Sequence, residues 1–254
     1  MIAHNFIGVA ATSVATIATV LATVLPARAE SSCKGTPAGS GVVAAVRDGR
    51  TLMLADGREV RLAAIEASAD GAALRTLATG QTVRLERVAD DRYGRVVAFA
   101  LAGNNTELLQ LALLQAGQAR VAARSGARGC SEFLLRAERT ARAKQAGLWA
   151  DPNFAPLSSE NLTRLAAELG QFALVEGQVL SVRVSGATIY VNFGRRWTRD
   201  FAVTIPKREA RMFAAAGIEP KSLERRRIRV RGILERRNGP MIDVVAPEQI
   251  ELID

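Results

Sequence analysis

Histidine is almost missing from this chain: the only one among 254 residues is His4. Cysteine is nearly as scarce, with Cys33 and Cys130 alone. Two thiols without nearby imidazoles do not make up a four-ligand metal site, so metal binding by this pair is excluded. After residue 29 no apolar run approaches the roughly 20 residues that a membrane helix needs. Lysine is rare too, since 30 of the 34 basic residues are Arg. What is present is an ordinary 48% of hydrophobic residues. That fraction suits a globular chain and excludes disorder as a class.

Residues 1–29 differ in composition from the rest. They hold one Arg, no acidic residue and the apolar run Phe6–Leu25. Ala27-Arg28-Ala29 fits a small-residue cleavage site, which predicts a signal peptide cut after Ala29. The alternative is an uncleaved membrane anchor. Export, to the periplasm or the medium, implies an oxidising compartment in which Cys33 and Cys130 pair. Such a bridge ties the mature N-terminus to a helix near Ser131 and contributes about 4 kcal/mol through loop closure.

The mature chain has 33 basic and 25 acidic residues, a net charge of +8. Residues 30–155 carry 17 and 13, and residues 156–254 carry 16 and 12, so each half is +4. An excess of this kind favours polyanions such as nucleic acid, anionic lipid or acidic glycan. A G·C-rich coding bias toward Arg is the competing explanation.

Glu30–Ser40 is small, polar and Gly-rich and reads as a linker. Then GVVAAVRDGRTLMLADGREVR places two Asp-Gly turns between apolar runs, a strong hairpin signal. Strands are predicted over Val42–Arg47, Thr51–Ala55 and Val60–Ile65. A short helix, Asp70–Ala78, stops at Gly80. Strands Thr82–Val88 and Val96–Leu101 flank the turn DDRYGR. After the turn Gly103-Asn104-Asn105, Thr106 is placed to cap a helix ending near Ala116. A last helix runs from Ser131 to Ala146. Its Glu132/Arg136 and Glu138/Arg142 spacings suit a solvated face, and Trp149 folds back on the core.

Pro152 and Pro156 mark a boundary, so residues 151–170 read as a linker with a short helix. The strand pattern then restarts over residues 171–254. A long strand, Phe172–Val184, carries a bulge at Gly177. Ala187–Phe193 and Phe201–Ile205 are the next strands, and Lys207–Ala216 is a helix. Arg227–Glu235 and Met241–Val245 meet at Asn238-Gly239. Both halves therefore repeat one order: three strands, a helix, two strands. That is the order of a five-stranded oligonucleotide/oligosaccharide-binding (OB) barrel. The expected class is mainly β with α (α+β), with one such barrel over 41–150 and a second, OB-like one over 171–254.

Residues 41–150 resemble the staphylococcal-nuclease family, also called thermonuclease-like. The pieces that carry the resemblance are VRDGRTLML, VRLAAIEAS, DDRYGR, LLQLALLQAGQARV and AERTARAKQAGLWA. The second half resembles the barrel appended to some secreted bacterial members. In active members, calcium and two arginines hold the phosphate while a glutamate helps water attack phosphorus. The resemblance implies that Arg61 and Arg95 are the two phosphate-binding positions, and that Asp48 is the outer acid of the metal turn. It also implies departures. Arg50 stands where the family has a metal-ligating acid, Glu66 replaces the aspartate ending strand three, and Ala69 stands where the catalytic glutamate belongs.

Calcium takes six to eight oxygens, several of them charged. Arg50 removes one carboxylate and adds a permanent cation. At about 4 Å and an effective dielectric near 20, that repels a unit charge by about 4 kcal/mol, and a divalent ion by twice as much. Ala69 cannot accept a proton, so general-base help of roughly 10²–10⁴-fold is lost. Asp70, one residue on, is a conceivable substitute. No cofactor is expected, and calcium only if the chain is an active nuclease.

A cationic cleft of Arg50, Arg61 and Arg95 remains, with Arg92 and Tyr93 at its rim. Salt bridges from Arg61 and Arg95 to Asp48, Glu66 or Asp91 are the structural alternative. In the second barrel, Tyr190 and Asn192 share a face, and Arg195, Arg196 and Trp197 follow in the next turn. Aromatic stacking over a basic groove is one reading. The other makes Trp197 core, with Phe193 and Phe201. Arg225, Arg226, Arg227, Arg229 and Arg231 form either an anion patch or a solvated strand side. Three functions are expected in descending order: an exported polyanion-binding protein with a degenerate nuclease site, an active secreted phosphodiesterase, and an envelope module that binds protein or glycan.

Overall fold

A computed structural model describes Met1 and residues 33–103, 107–123 and 128–253. The export segment, its cleavage point after Ala29, the Asn104-Asn105 turn and the Thr106 cap lie outside the described residues.

The first barrel contains β1 (Thr36–Asp48), β2 (Thr51–Leu54), β3 (Glu59–Leu62), β4 (Ile65–Ala67), α1 (Ala72–Ala78), β5 (Thr82–Asp90), β6 (Val96–Ala102), β7 (Glu107–Leu108), α2 (Leu109–Gln115), β8 (Ala119–Val121) and α3 (Arg128–Ala143). Its ring closes as β1-β2-β3-β6-β5-β1, with β3 and β6 parallel. Both Asp-Gly turns form as their chemistry dictates. Asp48 accepts the Arg50 N–H at 2.9 Å, and Asp56 accepts the Arg58 N–H at 3.0 Å. Alternating residues of the strands, including Val43, Leu52, Val60, Leu62, Leu85 and Phe99, fill the interior, and Leu74 of α1 closes one end.

The second barrel contains β9 (Leu157–Ser158), α4 (Leu162–Ala167), β10 (Phe172–Gln178), β11 (Ser181–Ser185), β12 (Thr188–Asn192), β13 (Ala202–Pro206), α5 (Ala210–Ala215), β14 (Arg227–Arg236), β15 (Pro240–Asp243) and β16 (Ile250–Leu252). Its ring runs β11-β12-β13-β15-β14-β10, with β13 and β15 parallel. Strand one is the chain path of β10 and β11. It changes partner at Val179-Leu180, where Val179 donates to the Arg226 carbonyl and Leu180 to the Asn192 carbonyl. The corner therefore falls there. Pairing with β14 runs through Gly177 without a register shift, so the expected bulge does not form.

Other boundaries move as well. β1 starts at Thr36, inside the stretch read as a linker, because Thr36 and Pro37 already pair with β5. The third predicted strand splits, and β4 leaves the ring to pair with β8. Leu157-Ser158, also read as linker, adds a parallel strand beside β10.

Both barrels belong to one compact unit. Trp149, Ala141 and Leu174 pack together at their junction, with Phe154 and Phe172 against them. Two expectations about charge are overturned there. Glu138 of α3 is buried rather than solvated, and Arg231 of β14 is buried rather than part of a surface patch. The two pair at 2.8 Å. Glu138 also accepts the Val121 N–H at 2.6 Å and pairs with Arg142 at 2.8 Å. Arg229 pairs with Glu251 and Glu176. The Glu132 partner is Arg139, not Arg136.

Cys33 and Cys130 form a buried disulfide across 97 residues of sequence. Such a bridge persists in an oxidising compartment. Cys33→Ser is expected to lower the free energy of unfolding by about 2–5 kcal/mol. Urea unfolding checks this, with reductant lowering the wild type and leaving the variant unmoved. Among the described residues no helix is long and apolar enough to cross a membrane.

Candidate functional site

The β1–β2 turn folds its own acid inward. One Asp48 oxygen accepts the Arg50 N–H and the other accepts the Thr51 hydroxyl, each at 2.9 Å. Gly49 is required here, because a Cβ would stand 2.0 Å from the Ser68 carbonyl oxygen. That close approach seats the turn against the end of β4. The Arg50 guanidinium then reaches Glu66 as an ion pair and donates to the Ile65 carbonyl at 3.2 Å. Both side chains are mostly covered. Burial pushes the Glu66 carboxyl up, while Arg50 and Arg61 oppose it. Burial also lowers the Arg50 guanidinium, which Glu66 counters and which Arg61 and Arg95 reinforce.

Arg61 and Arg95 therefore both lie within electrostatic reach of Arg50. Arg61 sits opposite Thr51 in the β2–β3 pairing. It is half-buried, and its side chain has no hydrogen bond or ion pair among the described residues. Arg95 behaves differently. Its Nε donates to Asp91 at 2.6 Å, and the same carboxylate accepts the Tyr93 and Arg95 N–H groups. The structural alternative thus holds for Arg95 and fails for Arg61. Arg92 and Arg95 flank the exposed Tyr93 ring at 4.8 and 5.1 Å from its centroid.

Arg120 belongs to this neighbourhood, and sequence reasoning did not single it out. It lies opposite Glu66 in the β4–β8 pairing. Its guanidinium stacks 3.6 Å from the Phe154 centroid and donates to the Phe172 carbonyl at 3.4 Å. Burial brings its pKa down to about 10. The only available signal was the alternation of Ala119, Arg120 and Val121 after the Gly117 stop. The proposed substitute acid, Asp70, is exposed and accepts the Ala72 N–H at 3.2 Å, just before α1. Among the described residues no group of three or more acidic, Cys or His side chains converges as metal ligands would.

The second candidate surface also assembles in part. Tyr190, Asn192, Arg195 and Trp197 line one groove of about 680 Å³, together with Arg183. Arg183 was missed, although it is the residue directly across from Tyr190. Arg196 is exposed and does not line the groove. Phe201 is core as expected and Phe193 packs against it. Trp197 is not core, with 66% of its surface exposed.

The family model described as staphylococcal nuclease homologue matches residues 65–151. No curated protein matches the chain. The matched stretch runs from β4 through α3 to Asp151, so it holds Glu66, Arg92, Tyr93, Arg95 and Arg120. Residues 65–151 are thus similar to the staphylococcal nuclease homologue family within a closed five-strand barrel of OB type, a combination that suggests nuclease chemistry or nucleic-acid binding.

Proposed function

We propose that this is an exported protein whose first barrel binds nucleic acid, or another phosphate-rich polyanion, without cleaving it efficiently. The observation that carries the reading is the Arg50–Glu66 ion pair. A guanidinium held against the one carboxylate left at the end of β4 supplies, permanently, the positive charge that a removable divalent ion would bring. The donor set does not suit calcium. Both Asp48 oxygens are engaged inside the turn, Glu66 faces Arg50, and the ion would meet a fixed like charge. Ala69 offers no base, and Asp70 is turned to the start of α1.

Binding would rest first on Arg61, whose guanidinium has no ion pair among the described residues. Phosphate oxygens are acceptors that a free guanidinium meets through two parallel N–H groups. Arg95 would add charge while anchored by Asp91. Tyr93, exposed between Arg92 and Arg95, would offer a ring at the rim.

The test uses the purified full chain with single-stranded DNA and RNA, with and without calcium. Binding is expected to weaken steeply with salt. Arg61→Ala should weaken it about tenfold, a single charge-assisted contact, and reduce the salt slope by about one. Calcium-dependent cleavage that a chelator stops would establish the active-nuclease alternative instead. Binding that is absent or insensitive to salt would favour the envelope protein- or glycan-binding module.

A further inference from the structure

We infer that the second barrel carries a separate site for the unstacked bases of a single-stranded nucleic acid, with Trp197 as its stacking platform. The site is independent of the Arg50–Glu66 cleft and does not need it to be correct.

Trp197 is the starting observation. A large aromatic side chain left two-thirds exposed forgoes most of the burial that would otherwise stabilise it. It is not exposed because its loop is loose. Asp200 folds back to accept the Arg196 N–H at 2.8 Å, and the Arg199 and Asp200 N–H groups both reach the Arg196 carbonyl. Gly194 has no room for a Cβ, which would stand 2.1 Å from the Asp200 carboxylate. The loop is also pressed onto the next hairpin. A Cβ on Gly239 would stand 2.7 Å from the Asp200 carbonyl. The ring is therefore presented outward by a braced turn.

The groove beside it has the chemistry of one ligand class. Tyr190 stands on β12, and Arg183 is its cross-strand neighbour on β11. Asn192, Arg195 and Asn238 line the groove with them and with Trp197. No carboxylate lines this groove. Its two arginines, Arg183 and Arg195, have no side-chain hydrogen bond or ion pair among the described residues, and Arg196 and Arg199 stand exposed in the adjoining turn, outside the lining. Flat rings between unpaired arginines match a chain of alternating bases and phosphates. Each base has a face to stack, each phosphate a charge to neutralise, and the asparagine amides can meet base edges. A neutral glycan would leave the two lining arginines without ionic partners. Duplex DNA would keep its bases stacked and unavailable to Trp197.

The two tryptophans make the test direct, because Trp149 is 6% exposed and Trp197 66%. The probes are a twelve-residue oligothymidylate and an abasic phosphodiester of equal length, titrated into the full chain while tryptophan emission is followed. The oligothymidylate is expected to quench the emission and to bind at least tenfold more tightly than the abasic chain. Trp197→Ala should remove the quenching and weaken oligothymidylate binding about 5- to 150-fold, the range for one lost base stack. Its affinity for the abasic chain should stay unchanged.

Equal binding of the two probes to the wild type, or quenching that survives in Trp197→Ala, would overturn the inference. So would competition by a neutral oligosaccharide as strong as that by oligothymidylate. Arg61→Ala separates the two sites. It should leave the Trp197 quenching in place, and a full loss of quenching there would also count against an independent site. If Arg61→Ala changes nothing while Trp197→Ala does, the cleft reading fails and the groove stands.

Discussion

Arg231→Ala is expected to destabilise the protein by about 3–5 kcal/mol, a large share of the roughly 5–15 kcal/mol that holds a folded protein together. Arg231 is fully buried between the barrels. It donates to Glu138 at 2.8 and 3.1 Å, to the Val121 carbonyl at 3.0 Å, and to Glu251. Removing it leaves Glu138 and Glu251 covered and short of positive charge, and the cost is mainly that of the stranded carboxylates.

The pH dependence tells this from simple loss of packing. Burial alone would raise the Glu251 carboxyl, but Arg231, Arg142 and Arg229 hold it below its ordinary value. A lowered carboxyl contributes stability above the unfolded value of about 4.3 and loses it as the pH falls through the lower, folded value. The wild type should therefore weaken in that window. In Arg231→Ala the buried Glu251 has lost the first of the cations that hold its carboxyl down and gains from protonation, so the gap between the two proteins should narrow in acid. Urea unfolding at pH 7 and near pH 3 checks both statements. A gap that is the same at the two pH values would show that packing, not charge, sets the effect.

The second large effect is a gain. Arg50→Asp combined with Ala69→Glu is expected to raise calcium-dependent hydrolysis of single-stranded DNA by about 10²-fold or more over the wild type. A returned general base is worth roughly 10²–10⁴-fold. The single changes separate the contributions. Arg50→Asp frees Glu66 and removes the like charge, so it should confer a calcium-dependent rise in Tm by mass action. Ala69→Glu alone should confer neither, because Arg50 still pairs with Glu66. Chelator-sensitive release of acid-soluble nucleotides is the readout for cleavage. No rise in Tm with calcium for Arg50→Asp would mean that Arg50 is not what keeps the ion out.

The elements differ in how far they could be read in advance. Asp48-Gly49-Arg50 and Asp56-Gly57-Arg58 state their hairpins, and the structure pairs Asp48 with Thr51 and Val60 with Leu52 accordingly. The helix between strands three and four appears in both barrels as α1 and α5. β16 was not anticipated, because Ile250–Leu252 has too few residues to display a period, and its pairing with β14 is a long-range contact. Arg231 was misplaced for a similar reason. Along β14 it looks like Arg227 and Arg229, and nothing near it in sequence shows that α3 will cover it. Trp197 could be read either way along the chain, as core or as part of a groove, and a turn tied by Asp200 holds it outside.

Alternation and turn residues act over two to four positions, so reading along the chain was enough for two five-strand barrels, while the likeness of the first to a nuclease rested on whole motifs such as DDRYGR. Which arginines are free is a different kind of fact. Arg61 has no ion pair among the described residues, Arg95 is anchored, Arg50 sits on Glu66, and Arg231 is enclosed by two carboxylates. All four carry the same side chain. Their roles follow from which carboxylate, carbonyl or ring the folded chain brings opposite each one, and those partners come from strands and helices far away in the sequence.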